Sequence, residues 1–129
     1  MSGLINSSRL FYHIAIQEEW QASEQGVYIP TGFESEGFIH LSFATQLAAT
    51  YSRYYEGQTG LVLLTIRLNT VSFGALKVED LTGRGEVFPH LYKPLTKAEV
   101  TKVQPIPSEG GAAAEEFFSK VMASEAQSN

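Results

Sequence analysis

Gly60 is followed by Leu61-Val62-Leu63-Leu64-Thr65-Ile66-Arg67-Leu68, a nearly unbroken apolar run closed by Asn69. A strand with one face in water alternates apolar and polar residues, and this run does not. It reads as a strand buried on both faces, and it is far too short to span a bilayer. With 129 residues in total, the chain is one domain, 1–129, large enough to bury such a strand in a real core.

The other segments read as its partners. Leu10-Phe11-Tyr12-His13-Ile14-Ala15 is rich in aromatic and branched residues and predicts a first strand. Phe11, His13 and Ala15 would share one face, and Leu10, Tyr12 and Ile14 the other. A helix is expected over 17–25, anchored by Trp20 and stopped by Gly26, then a short extended piece at 27–30 and a polar loop at 31–36. Gly37-Phe38-Ile39-His40-Leu41-Ser42 reads as a short strand with Phe38, His40 and Ser42 on one face. Ser42 suits the N-cap of the next helix, where Leu47, Ala48, Tyr51 and Tyr55 recur at helical spacing before Gly57. Residues 69–74 read as a connection, 76–81 as a strand and 82–86 as a loop. Two prolines make 87–95 irregular or an edge segment. A helical turn at 96–100, a last strand at 100–106 and a final helix over 108–124 capped by Ser108 complete the chain, with frayed ends at 1–7 and 125–129. The fold class is α+β, with a mixed or antiparallel split sheet and short flanking helices.

Composition excludes several functions. Hydrophobic residues make up 43% and charged residues 18%, as in a globular chain. There is no cysteine, which removes disulfides, thiolate nucleophiles and sulfur-ligated zinc. The net charge of −5, with nine Lys and Arg, argues against general nucleic-acid binding. The start lacks a basic, then apolar, signal pattern and no segment spans a membrane, so a cytoplasmic location is expected.

The chemistry-bearing residues cluster around the three histidines. His13, His40 and His90 all sit among apolar or aromatic neighbours; one such histidine points to packing as readily as to a site, and three together point towards a shared pocket. Three histidines with Glu86 or Asp80 would suffice for a metal, but none has a recognisable ligand spacing, so no metal is expected. Ser42 has no Gly-x-Ser-x-Gly elbow, and Gly83-Arg84-Gly85 is too short to cradle a phosphate. Glu79 reads as part of a solvated turn. Glu86, between the glycine loop and Val87-Phe88-Pro89-His90-Leu91-Tyr92, is better placed to orient a hydroxyl or a developing cation.

Leu10–Ala15, Glu36–Ser42, Gly60–Leu64, Val78–Leu81 and Phe88–Leu95 together resemble the signature blocks of the domain-of-unknown-function 952 family, over a core of 8–107. The resemblance implies a fold grouped with the ADP-ribosyltransferases. His13 looks like the early-strand histidine that touches a ribose of NAD in those enzymes, and Phe38-Ile39-His40-Leu41-Ser42 is similar to the His-Leu-Ser strand of tRNA 2′-phosphotransferases. The third motif residue is Glu86 or His90. The phosphotransferase arginine set has no match, Arg84 being the one substitute.

The resemblance thus implies NAD as substrate, a nucleotide as partner, and departure of nicotinamide from an oxocarbenium-like ribose. His13, His40 and Glu86 would be catalytic. Phe38, Ser42, Arg84, His90 and Tyr92 would line the nucleotide site. The alternatives are a non-catalytic small-ligand module, a histidine-based metalloenzyme, and an interaction domain whose histidines only pack.

Overall fold

A computed structural model describes residues 9–23 and 26–128. In chain order its elements are β1 (Leu10–Ile16), α1 (Gln17–Ala22), β2 (Val27–Tyr28), α2 (Phe33–Glu36), β3 (Ile39–His40), α3 (Leu47–Tyr54), β4 (Leu61–Arg67), α4 (Thr70–Gly74), β5 (Leu76–Glu79), β6 (Phe88–Leu91), β7 (Leu95–Thr96), β8 (Val100–Pro105) and α5 (Gly111–Ser128). One turn of 3-10 helix precedes α3 and another precedes β8. The expected ends 1–7 and 129, and the last expected residues of the first helix, Glu24 and Gln25, lie outside the described residues.

The apolar run is β4, the middle strand of an antiparallel sheet ordered β1–β4–β8. Its alternate residues divide between two cores. Val62, Leu64 and Ile66 join Phe11 and Ala15 under a cover of Tyr28, Ile39, Leu41, Leu91 and Leu95. Leu61 and Leu63 join Tyr12 and Ile14 under Leu47, Tyr51, Phe118 and Val121 from α3 and α5. Burying each such leucine contributes about 1.5–3 kcal/mol over leaving it exposed.

Two smaller antiparallel ladders lie on the first core, β2–β7 and the three-stranded β3–β6–β5. Tyr12 and Ser42 tie β1 to the end of the β3 segment, each donating its N–H to the other's carbonyl at 2.9 and 2.7 Å. The α+β class with antiparallel sheets and short helices thus holds. No helix among the described residues is long and apolar enough to cross a membrane.

Five local expectations are corrected. Residues 33–36 are not loop but the single turn α2, closed by the Gly37 N–H on the Phe33 carbonyl at 2.7 Å. Gly37 has φ of +87°, the left-handed geometry that turns the chain into β3. The 69–74 connection contains α4, whose Asn69 side chain accepts the Ser72 N–H at 2.8 Å. Asn69→Ala is expected to cost about 1 kcal/mol, read as a drop in the urea midpoint.

Residues 88–91 are the middle strand of their sheet, not an edge. The Pro89 carbonyl accepts the Leu41 N–H at 3.0 Å, one residue beyond the two of β3, so the donor that proline lacks is lost only at the end of that ladder. Ser42 caps no helix, because the first 3-10 turn is capped by the Gln46 side chain accepting the Phe43 N–H at 3.0 Å. The final helix starts at Gly111 after Gly110, whose φ is +66°, and it continues past 124 to Ser128.

Candidate functional site

The β3–β6–β5 sheet turns Ile39 and Leu91 into the core, which leaves His40 and His90, direct partners across the ladder, on its other face. That face opens on a cleft of about 520 Å³, lined also by Thr50, Tyr54 and Tyr55 and by the loop after β5. His13, Phe38, His40, Ser42, Glu86 and His90 all line it, together with Glu36, Glu79 and Asp80. Arg84 and Tyr92 do not. Arg84 is exposed on a loop pinned by Asp80, whose carboxylate accepts the N–H groups of Thr82, Gly83 and Gly85. Tyr92 stands behind the wall, its ring 5.2 Å from that of Phe38.

His90 is held on several sides. Its Nδ1 lies 2.9 Å from Glu79 Oε2, and the same oxygen accepts the Tyr92 hydroxyl. The Tyr92 bond first, and the His90 bond second, hold the Glu79 carboxyl below its ordinary range, so Glu79 is ionised and can only accept. His90 Nδ1 therefore carries a proton, and Nε2 is the nitrogen left for a ligand. Phe38 stacks on the ring at 4.2 Å and 26°, and His90 is only 5% exposed.

His40 stands across from it, with ring centroids 5.4 Å apart and planes nearly perpendicular. Its Nε2 lies 2.9 Å from Glu36 Oε1 on α2, and its side chain is 58% exposed. Each histidine therefore has its own carboxylate. The ring of Phe38 lies against both, at 4.8 Å from His40.

His13 is different. Its Nδ1–H donates to the His40 carbonyl at 2.7 Å, and its Nε2 accepts from the Tyr28 hydroxyl at 2.9 Å. Burial pushes it down to about 4, so the ring is neutral at pH 7. With both nitrogens engaged, His13 has no lone pair for a substrate proton. It braces the backbone beneath His40.

The electrostatics are acidic. Glu36, Glu79, Asp80 and Glu86 line the cleft, and among the described residues no lysine or arginine does. The Gly85 N–H, foremost among several donors, holds Asp80 low. Glu86 is fixed at the mouth by the Gln46 side-chain amide at 3.2 Å, an amide that also donates to the Val87 carbonyl. Among the described residues no three His, Asp or Glu side chains converge as a metal set.

Sequence reasoning missed Glu79. A glutamate at a strand end before a glycine loop looks solvated, and only the β5–β6 pairing, Glu79 opposite Phe88, brings it to His90 and Tyr92. The one available signal was the shared strand parity of Lys77 and Glu79.

A family model described as a protein of unknown function (DUF952) matches residues 14–103. No curated protein matches the chain. The crystal structure of protein CC0527 from Caulobacter crescentus is 33% identical with a TM-score of 0.71, the match covering 85% of this chain and 98% of that one. A solution NMR structure of the same protein is 36% identical with a TM-score of 0.63, over 78% of this chain and 89% of that one. With the family model spanning residues 14–103 and CC0527 33% identical over 85% of this chain, the chain belongs to the DUF952 family.

Proposed function

We propose that the cleft binds NAD, or a related ADP-ribose-containing nucleotide, by its nicotinamide riboside end, on an ADP-ribosyltransferase-like fold. There it breaks the glycosidic bond, passing ADP-ribose to an acceptor or to water. The observation that carries this reading is the Phe38–His90 stack beside His40 in a cleft whose lining includes four carboxylates. The oxidised nicotinamide ring is flat, aromatic and cationic. Aromatic faces and carboxylates favour such a group, and the same carboxylates favour the positive charge that develops on the ribose as the bond breaks.

The lack of lysine and arginine in the lining bears on the other half of the ligand. A diphosphate gains nothing inside this cleft and stays in solvent. Nicotinamide riboside is therefore expected to bind at least as tightly as NAD. At ten times Kd either ligand should raise the stability by about 1.4 kcal/mol, a shift of a few degrees in Tm. His40→Ala, an exposed position, should abolish the shift without unfolding the protein. No shift with either ligand at millimolar concentration would defeat the reading.

A non-catalytic module using the same residues is the second reading, favoured by the missing match to the arginine set of the phosphotransferases. Ligand binding with no nicotinamide released, followed by mass spectrometry, would identify it.

A further inference from the structure

We infer that His90 is the proton acceptor of the cleft, that Glu79 is its positioning residue, and that the nucleophile His90 serves is water, so that the site hydrolyses the nicotinamide–ribose bond. This rests on the NAD reading above and gives it a reaction type.

The ionised Glu79 receives His90 Nδ1–H at 2.9 Å and so fixes the tautomer with the lone pair on Nε2. Tyr92 donates to the same carboxylate oxygen, and the Phe38 stack fixes the plane of the ring. A histidine whose far nitrogen is held by a carboxylate is arranged as a general base. Glu36 holds His40 in the same manner, but out at the exposed rim.

Depth decides the nucleophile. The His90 side chain is 6% exposed, against 58% for His40. A base this deep, beneath a bound nicotinamide riboside, reaches a water molecule but not the side chain of a protein acceptor or a nucleic-acid end. In the step, the water oxygen bonds to ribose C1′ and its proton passes to His90 Nε2. The C1′–N bond breaks with its electron pair going to the ring nitrogen, and neutral nicotinamide departs. ADP-ribose remains, and the imidazolium, paired with Glu79, returns its proton to solvent.

The experiment measures nicotinamide release from NAD by the whole chain, with wild type and Glu79→Gln, and uses NMR to read the His90 tautomer. Expected are a kcat lower by about 100-fold in the variant with KM within about threefold, and a His90 Nδ1–H tautomer in wild type that becomes mixed in the variant. An unchanged kcat, or a wild-type Nε2–H tautomer, overturns the inference. A second measurement needs no variant: wild type is incubated with NAD, methanol and a guanidinium acceptor. Small-nucleophile products alone support the inference, and transfer to the guanidinium matching nicotinamide release overturns it. NAD that binds without release removes hydrolysis and leaves the binding reading standing. If neither NAD nor nicotinamide riboside binds, both fall.

Discussion

His13→Ala is expected to lower the unfolding free energy by about 2–4 kcal/mol at pH 7. The substitution leaves the Tyr28 hydroxyl and the His40 carbonyl without the ring that joins them. It should also change the response to acid. In the folded chain burial pushes His13 down to about 4, while in the unfolded chain it titrates near 6.5. Between those values the unfolded chain holds the extra proton, so stability rises with pH across that window. The contribution is complete above 6.5 and is lost as the pH falls towards 4, about 3 kcal/mol in all. Urea unfolding at pH 7, 6 and 5 checks both effects. The wild-type line should fall more steeply than that of the variant, and parallel lines would show that His13 is not the buried neutral ring described.

The core prediction is of similar size. Leu63→Ala and Leu64→Ala are each expected to cost about 2–5 kcal/mol. Both side chains are fully buried, yet they enter different cores, Leu63 under α3 and α5 and Leu64 under the smaller ladders. Against the 5–15 kcal/mol typical of a domain, roughly a third of the stability goes with either one, and a doubly substituted chain should be unfolded at room temperature by circular dichroism. Val71→Ala, at a side chain 73% exposed, should change stability by less than about 0.5 kcal/mol. A Leu63→Ala chain as stable as that control would show that Leu63 is not packed under α3 and α5 as described.

These two cases show what sequence made legible. β4 was readable because both of its parities are apolar, a pattern few other structures produce. The strands of His13 and His40 were readable too, that of His90 was not, and the fold brings His13, Phe38, His40, Ser42, Glu86 and His90 to one cavity. What stayed hidden depends on partners remote in the chain. His13 lies at the expected place on β1, but its lack of a free nitrogen follows from Tyr28 and the His40 carbonyl, 15 and 27 residues away. Glu79 needed the β5–β6 pairing to become visible. Pro89 looked like a strand breaker because sequence does not say which neighbour its nitrogen faces.

The segment between Glu79 and Phe88 has a consequence for how such a cleft changes over time. The pairing register of β3, β6 and β5 sets the positions of both histidines, while the Asp80 carboxylate folds the intervening loop by accepting the N–H groups of Gly83 and Gly85. Lengthening or rewriting 81–84 would then reshape the mouth without displacing the rings or Glu86. An engineer seeking to change what the cleft admits would randomise that loop first, leaving the paired histidines where the strands hold them.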